Sequence, residues 1–369
     1  MRSVLLVTQD LQRAGAQRQC VELAIGLHRS RDWRVAVATI DAAGPLVAEL
    51  SEEGISIHDC RRRWRWDLAP VRGLASVVRE HGYDLIHSFL FLPNFYARSA
   101  RLLNRRPAVV SSLRSTGVAG WPRYLLEVLM APMCDLIIAN SESGKRHLVS
   151  LGAAARRVAV VRNGIDLARF SPADPAISPE SDNHLRTRRI GMVAQMEPRK
   201  DHLGLVSAFA ELLPRYPGLR LSLAGDGSLR PRVEEAIRSA GLEGAVDLLG
   251  TVDHAGRLYR TLDIYVQASS FGEGTSNSIL EAMASGLPVV ATDVGGNSDV
   301  VDHERTGLVI PRRNPKGLAA AIARLLEDAA LRNQFGAAGR ARALERYSRE
   351  SMVATTVELY ERVLTGRES

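Results

Sequence analysis

Short apolar runs rich in β-branched residues alternate with amphipathic stretches along almost the whole chain, and no other feature restricts the fold as much. The runs SVLLVT, RVAVATI, YDLIHS, AVVSSL, CDLIIAN and RVAVV have strand length, and stretches such as AQRQCVELAIGLHR and NFYARSARLL lie between them. Buried strands separated by helices imply parallel βαβ units covered on both faces, hence a doubly wound α/β sheet. The segment FSPADPAISPESDNHLRTR interrupts the pattern with Pro, Ser, Asp and Arg and no periodicity, so it reads as a linker. The alternation then restarts with RIGMVAQ, HLGLVSAFAELL, RLSLAG, AVDLLG, LDIYVQA, LPVVAT and TGLVI, and closes in helices. A chain of 369 residues and 40.3 kDa suits two domains. The expected division is an N-terminal domain over 1–170, a linker over 171–188, a second domain over 189–347 and a terminal helix over 348–369. Two such domains leave a cleft, and open α/β sheets bind ligands beyond the carboxyl ends of their strands.

A formal charge of +7 and pI ≈ 9.6 are compatible with anionic partners such as phosphorylated small molecules or an anionic membrane surface. Nucleic acid is not expected, because no recognition module surrounds the basic residues. Cys20, Cys60 and Cys134 are far apart and lack metal-ligand or CxxC spacing, which fits a reducing cytoplasm and indicates neither a disulfide framework nor a zinc site. No apolar run has the length needed to span a bilayer, so membrane contact is expected to be peripheral.

Two α/β domains raise the question of a dinucleotide. The first strand leads into TQDLQRAGAQRQ, which contains Gly15 but no GxGxxG, and Gly225 and Gly227 lack the third glycine of that fingerprint. The P-loop pattern is absent as well. FGEGTSNSILEAMA, residues 271–284, is more informative: Glu273 and Glu281 are separated by seven residues across the start of a helix. Thr275, Ser276 and Asn277 are good N-cap residues, and Ile279, Leu280 and Met283 supply an apolar face. The first-turn N–H groups and the helix dipole favour an anion such as a diphosphate, and Gly272 and Gly274 let the backbone come close to it. Glu281 lies about 7 Å further along the helix, at ~1.5 Å per residue. An anion site flanked by two separated carboxylates matches a nucleotide, a diphosphate and a sugar laid across a helix end, each carboxylate accepting from neighbouring hydroxyls. A helix capped by one glutamate and wetted by the other would show the same spacing.

The run GEGTSNSILEAMASGLPVVATDVGGNSDVV, residues 272–301, resembles the signature region of the family 4 glycosyltransferases, retaining enzymes with the GT-B fold of two Rossmann-like domains. RAGAQRQ, DLIHSFL, VVRNGIDLARFSP, AQMEPRKDH, LAGDGSLR and LDIYVQAS extend the resemblance, in order, over nearly the whole chain. It implies an acceptor-binding first domain, a nucleotide-sugar-binding second domain, and a terminal helix that crosses back onto the first. By position, Glu281 would bind ribose hydroxyls and Glu273 would approach the donor sugar as a catalytic residue. Gly274, Thr275 and Ser276 would hold the diphosphate or sugar through loop amides, and Gly15 would close over the phosphates. Lys200 matches the family's phosphate-binding lysine, whose cation neutralises the leaving diphosphate; a solvated lysine at a helix start is the plainer alternative. Gln195 stands where relatives commonly carry arginine, so it can donate to phosphate but brings no charge.

In the first domain, His87 ends the YDLIHS strand and is a candidate for contact with acceptor or donor sugar, a structural histidine being the alternative. Arg114 occupies a position where many relatives have histidine; it cannot act as a base but can bind an anionic acceptor or pyrophosphate, or serve a structural ion pair. The stretch CRRRWRWDL, 60–68, interleaves arginine with Trp64 and Trp66. It suits an anionic bilayer interface, where each basic residue adds ~1 kcal/mol, or a loop whose tryptophans cover the core. The expected function is transfer of a sugar, with retention, from a nucleoside diphosphate donor, a UDP-sugar, to a glycan hydroxyl. The acceptor is expected to be lipid-linked or to belong to cell-envelope or exopolysaccharide assembly, with the protein cytoplasmic or peripheral on the inner membrane face. The resemblance implies no bound cofactor or metal. A noncatalytic GT-B-like scaffold and a sugar-nucleotide epimerase are the alternatives.

Overall fold

The computed structural model describes residues 1–41, 44–64, 67–114, 121–172 and 188–368, the side chains of 121–124 and 368 excepted. Residues 173–187 of the expected linker lie outside the described residues. The chain forms two compact units, Met1–Ile165 together with Tyr347–Ser369, and Asp166–Arg346.

Unit 1 is built on β1 (Arg2–Thr8), β2 (Trp33–Thr39), β3 (Ser56–Asp59), β4 (Leu85–Phe89), β5 (Ala108–Leu113), β6 (Leu136–Ala139) and β7 (Val158–Val160). The strands are parallel in the order β3-β2-β1-β4-β5-β6-β7. Successive side chains of β1 leave opposite faces of the sheet. Val4 and Leu6 join a core with Leu23 and Leu27 of the helix Gly15–Arg29, while Leu5 and Val7 pack with Leu74 and Val78 of Ala69–His81 and with Tyr96 of Phe91–Ala100. A continuous apolar run is what a strand covered on both sides requires.

Unit 2 repeats the plan with β8 (Arg189–Val193), β9 (Arg220–Ala224), β10 (Val246–Gly250), β11 (Ile264–Gln267), β12 (Val289–Thr292) and β13 (Gly307–Ile310), parallel in the order β10-β9-β8-β11-β12-β13. The chain winds outward from β8 in one direction and from β11 in the other. Their adjacent carboxyl ends are therefore the topological switch point, where open sheets of this kind bind ligands.

The terminal helix Arg349–Glu368 belongs to unit 1. Its Met352, Val353, Leu359 and Tyr360 enter the core beside β1 and β2. Arg349 Nε donates to Glu22 Oε2 at 2.5 Å, and the Tyr360 ring lies 5.3 Å from that of Trp33. Gly164 permits this docking, since a Cβ there would meet Met352 Cβ at 2.8 Å and Arg349 Cα at 2.9 Å.

His87 does not end its strand but lies in the middle of β4, 1% exposed. Its Nδ1 is 2.5 Å from Tyr360 Oη and its Nε2 is 2.7 Å from Ser112 Oγ. Replacing Tyr360 with Phe keeps the ring packing and strips His87 of one partner. We expect the change to lower the stability of unit 1 by about 1–3 kcal/mol, the cost of an unsatisfied buried polar group, measured by urea unfolding.

Candidate functional site

At the switch point of unit 2, the loop after β11 carries Glu273 and leads into the helix Asn277–Ala284. Two glycine pairs fix the surrounding loops. Gly272 has φ +72°, and Gly295 approaches so closely that a Cβ would fall 1.9 Å from the Glu273 carbonyl oxygen. Gly296 N then donates to Gly274 O at 3.0 Å. On the other side, a Cβ on Gly225 would lie 2.0 Å from Ala194 O, and Met196 N donates to Asp226 O at 2.9 Å. The GDG sequence thus shapes the loop that presents Gln195 and Lys200.

Lys200 closes the short turn Pro198–Lys200 after β8 and is 8% exposed, which rules out the solvated reading. Its ammonium pairs with the carboxylate of Glu273, itself 4% exposed. Burial alone would push the Glu273 carboxyl up, but the charge of Lys200 and hydrogen bonds from Lys200 and Ser269 hold it below the usual carboxylate range. Burial also pulls Lys200 down, with Glu273 opposing. Arg199 adds a second cation, its Nη1 lying 3.9 Å from Glu273 Oε1. Gln195 is exposed on the same loop.

A directed chain of hydrogen bonds orients the carboxylate. Tyr265 Oη donates to Gln267 Oε1 at 2.8 Å, Gln267 Nε2 to Ser269 Oγ at 2.8 Å, and Ser269 Oγ to Glu273 Oε1 at 2.6 Å. Each donor polarises the next towards the negative end. None of these three residues was singled out from sequence, although all sit at alternate positions of β11 and its continuation, facing one side.

Ser276 is the N-cap of Asn277–Ala284, as its composition suggested, yet its hydroxyl does not cap the helix and instead lies 3.0 Å from Ser278 Oγ. Thr275 and Ser276 are buried, and Gly274 lies between them and Glu273. Glu281 is half-buried and accepts from Tyr259 Oη at 2.9 Å. Burial first, and then Glu281, raise the Tyr259 hydroxyl far above its ordinary value, so it stays a donor and fixes that carboxylate. Tyr259 is a further residue that the motif spacing did not reveal.

The remaining candidates belong to unit 1. Gly15 is exposed at the start of the helix after β1. His87 has both ring nitrogens engaged inside the core, and burial, with Arg114 second, holds it well below its ordinary value. That geometry supports the structural reading over the catalytic one. Arg114 follows β5, 8% exposed, and donates to Asn163 Oδ1 at 2.8 Å. It forms no ion pair among the described residues. In the basic stretch, Arg62 pairs with Asp41 and Arg61 with Asp59, while Trp64 is 60% exposed and does not cover the core. Arg65 and Trp66 lie outside the described residues. No helix among the described residues is long and apolar enough to cross a membrane.

Residues 13–169 match the family model described as Glycosyltransferase Family 4, and residues 187–328 match that described as Glycosyl transferases group 1. A D-inositol 3-phosphate glycosyltransferase of Kineococcus radiotolerans is 30% identical over 328 residues, 78% of this chain and 73% of that protein. An exopolysaccharide phosphotransferase of Streptomyces coelicolor is 29% identical over 326 residues, 83% of this chain but only 33% of that longer protein. Among solved structures, Anabaena HepE in complex with UDP and glucose superposes with a TM-score of 0.87 at 21% identity, covering 98% of this chain and all of the other. A sucrose-phosphate synthase of Thermosynechococcus elongatus gives 0.81 at 23% identity, covering 99% of this chain and 100% of its own.

Removing one partner of a buried ion pair leaves the other charge uncompensated. Glu273→Gln is therefore expected to destabilise unit 2 by about 3 kcal/mol at neutral pH. Because the folded-state value of Glu273 is depressed, its contribution is fully present above the ordinary value of 4.5 and is lost as pH falls through the lower folded value. The stability gap between wild type and variant should then close on acidification in chemical denaturation; a gap independent of pH would contradict the pairing.

Proposed function

The chain belongs to the group 1 glycosyltransferases of family 4, and from that premise we propose that it transfers a sugar from a UDP-sugar to a hydroxyl of a glycan or lipid-linked acceptor, with retention of configuration. The observation that carries this reading is the buried Lys200–Glu273 pair, Glu273 lying just before a helix start whose N-cap hydroxyl makes no capping hydrogen bond. A diphosphate at that helix start meets the backbone amides of Gly274, Thr275 and Ser276, the helix dipole and the Lys200 ammonium. Glu281, held by Tyr259, accepts from the ribose hydroxyls at one end. Glu273 lies at the other end, towards the sugar.

In the reaction the bond from the anomeric carbon to the diphosphate oxygen breaks, and the acceptor oxygen bonds to that carbon from the same face. The acceptor proton passes to the departing phosphate oxygen. Lys200 stabilises the charge that develops on the leaving group, and Arg199 adds the second cation that Gln195 does not supply. Glu273, kept ionised and fixed by Ser269, stabilises positive charge on the sugar ring. Relatives support the donor and acceptor classes: HepE is seen in complex with UDP and glucose, and the Kineococcus and Streptomyces proteins are named for inositol phosphate and exopolysaccharide. Peripheral contact with an anionic membrane is part of the proposal, resting on exposed Trp64 beside exposed Arg61 and Arg63.

Calorimetric titration with UDP, GDP and ADP tests the reading. UDP is expected to bind preferentially, and Glu281→Ala to weaken it by about tenfold or more, the worth of charge-assisted hydrogen bonds. Glu273→Ala should retain most UDP affinity while transfer falls by about a hundredfold or more. UDP affinity unaltered in Glu281→Ala would falsify the ribose assignment.

A further inference from the structure

Four arginines among the described residues are buried, and three have an evident source of negative charge. Arg98 pairs with Glu127 and Arg349 with Glu22. Arg332 donates to the carbonyls of Leu325 and Leu326 at a helix C-terminus, the negative end of the dipole. Arg114 differs. Its Nη1 donates to the neutral amide oxygen of Asn163, its guanidinium carbon lies 4.9 Å from the centre of the Phe89 ring, and its Nε has no hydrogen-bond partner among the described residues. The ten residues that follow, Ser115 to Tyr124, contain no Asp or Glu.

Among the described residues, the ionisable groups that interact electrostatically with Arg114 offer no compensation. Burial pushes the Cys20 thiol up to about 12 and the Tyr360 hydroxyl well above its ordinary value, so both are neutral at neutral pH. His87 is held neutral by the same burial. Desolvation lowers Arg114 itself to about 10, which still leaves it charged. A buried cation without a counter-charge costs several kcal/mol. Arg114 sits at the end of β5, at the carboxyl edge where Phe89 ends β4 and Asn140 and Asn163 follow β6 and β7. That edge is where parallel sheets receive ligands.

We propose that Arg114 anchors an anion site in unit 1 that takes a phosphate group of the sugar acceptor. The guanidinium offers its fork to the phosphate, with Asn163 fixing one arm and Phe89 backing the plane. This rests on the glycosyltransferase reading only for the identity of the ligand as acceptor; the buried charge of Arg114 calls for an anion independently of it.

The test uses the full chain with Arg114→Met, which keeps much of the volume and removes the charge, and Arg114→Lys, which keeps the charge and removes the fork. Without phosphate, Arg114→Met is expected to melt at or above wild type. Inorganic phosphate, at constant ionic strength, is expected to raise the melting temperature of wild type more than that of Arg114→Met, with Arg114→Lys between them. Calorimetry should show glycerol phosphate binding wild type more tightly than inorganic phosphate does, and about tenfold more weakly to Arg114→Met. Equal phosphate shifts in wild type and Arg114→Met, or a large loss of stability in Arg114→Met without phosphate, would overturn the site. Glycerol phosphate binding no more tightly than inorganic phosphate would overturn the acceptor assignment. UDP affinity should be the same in wild type and Arg114→Met; a fall in the variant would show that the anion is the donor's diphosphate and overturn the proposal. Wild type that binds glycerol phosphate but no nucleotide would instead contradict the donor reading and leave the anion site standing.

Discussion

The ion pair of Lys200 and Glu273 is the interaction around which unit 2 is arranged, because bringing two charged side chains to less than 10% exposure is unfavourable unless geometry and further hydrogen bonds compensate. The turn Pro198–Lys200 carries one partner off β8 and the glycine-rich loop carries the other off β11. Gly225 and Gly295 admit the close backbone approaches that hold those loops together. Tyr265, Gln267 and Ser269 then orient the carboxylate through three successive donations. A buried pair of this kind is weak evidence for stability, and under the proposed function an incoming diphosphate would supply Lys200 with the negative charge that Glu273 supplies in its absence.

Unit 1 handles buried charge in another way. Arg98–Glu127 and Arg349–Glu22 are internal pairs that each fasten one helix to another. The terminal helix adds Tyr360, whose hydroxyl meets His87 and whose ring meets Trp33. His87 therefore belongs to the packing of that helix, and the chemistry proposed for unit 1 shifts from an imidazole to the guanidinium of Arg114 at the strand end. A guanidinium stays charged and cannot act as a base, which suits the recognition role proposed for it.

The alternation of apolar runs was enough to read two doubly wound sheets, because a strand buried on both faces is apolar at most of its positions. The start of the helix at Asn277 was equally legible from its N-cap residues and apolar spacing. Less could be read where the partner is remote. Tyr360 lies 273 residues from His87, and Asn163 lies 49 from Arg114, distances over which spacing carries no information. Ser269, Gln267 and Tyr265 look like ordinary polar interruptions of a strand until the direction of their side chains is known. The Gly225–Gly227 pair resembles a fragment of a nucleotide fingerprint, yet its role is to let one loop lie against another.

Amide hydrogen exchange of the full chain with and without UDP tests the central claim most directly, because it reports where the nucleotide orders the backbone. The account predicts slowed exchange across residues 272–281, with a smaller effect in the Pro198–Lys200 turn. Slowing confined to unit 1, or a UDP complex in which the 272–281 amides exchange as fast as in the free protein, would contradict it.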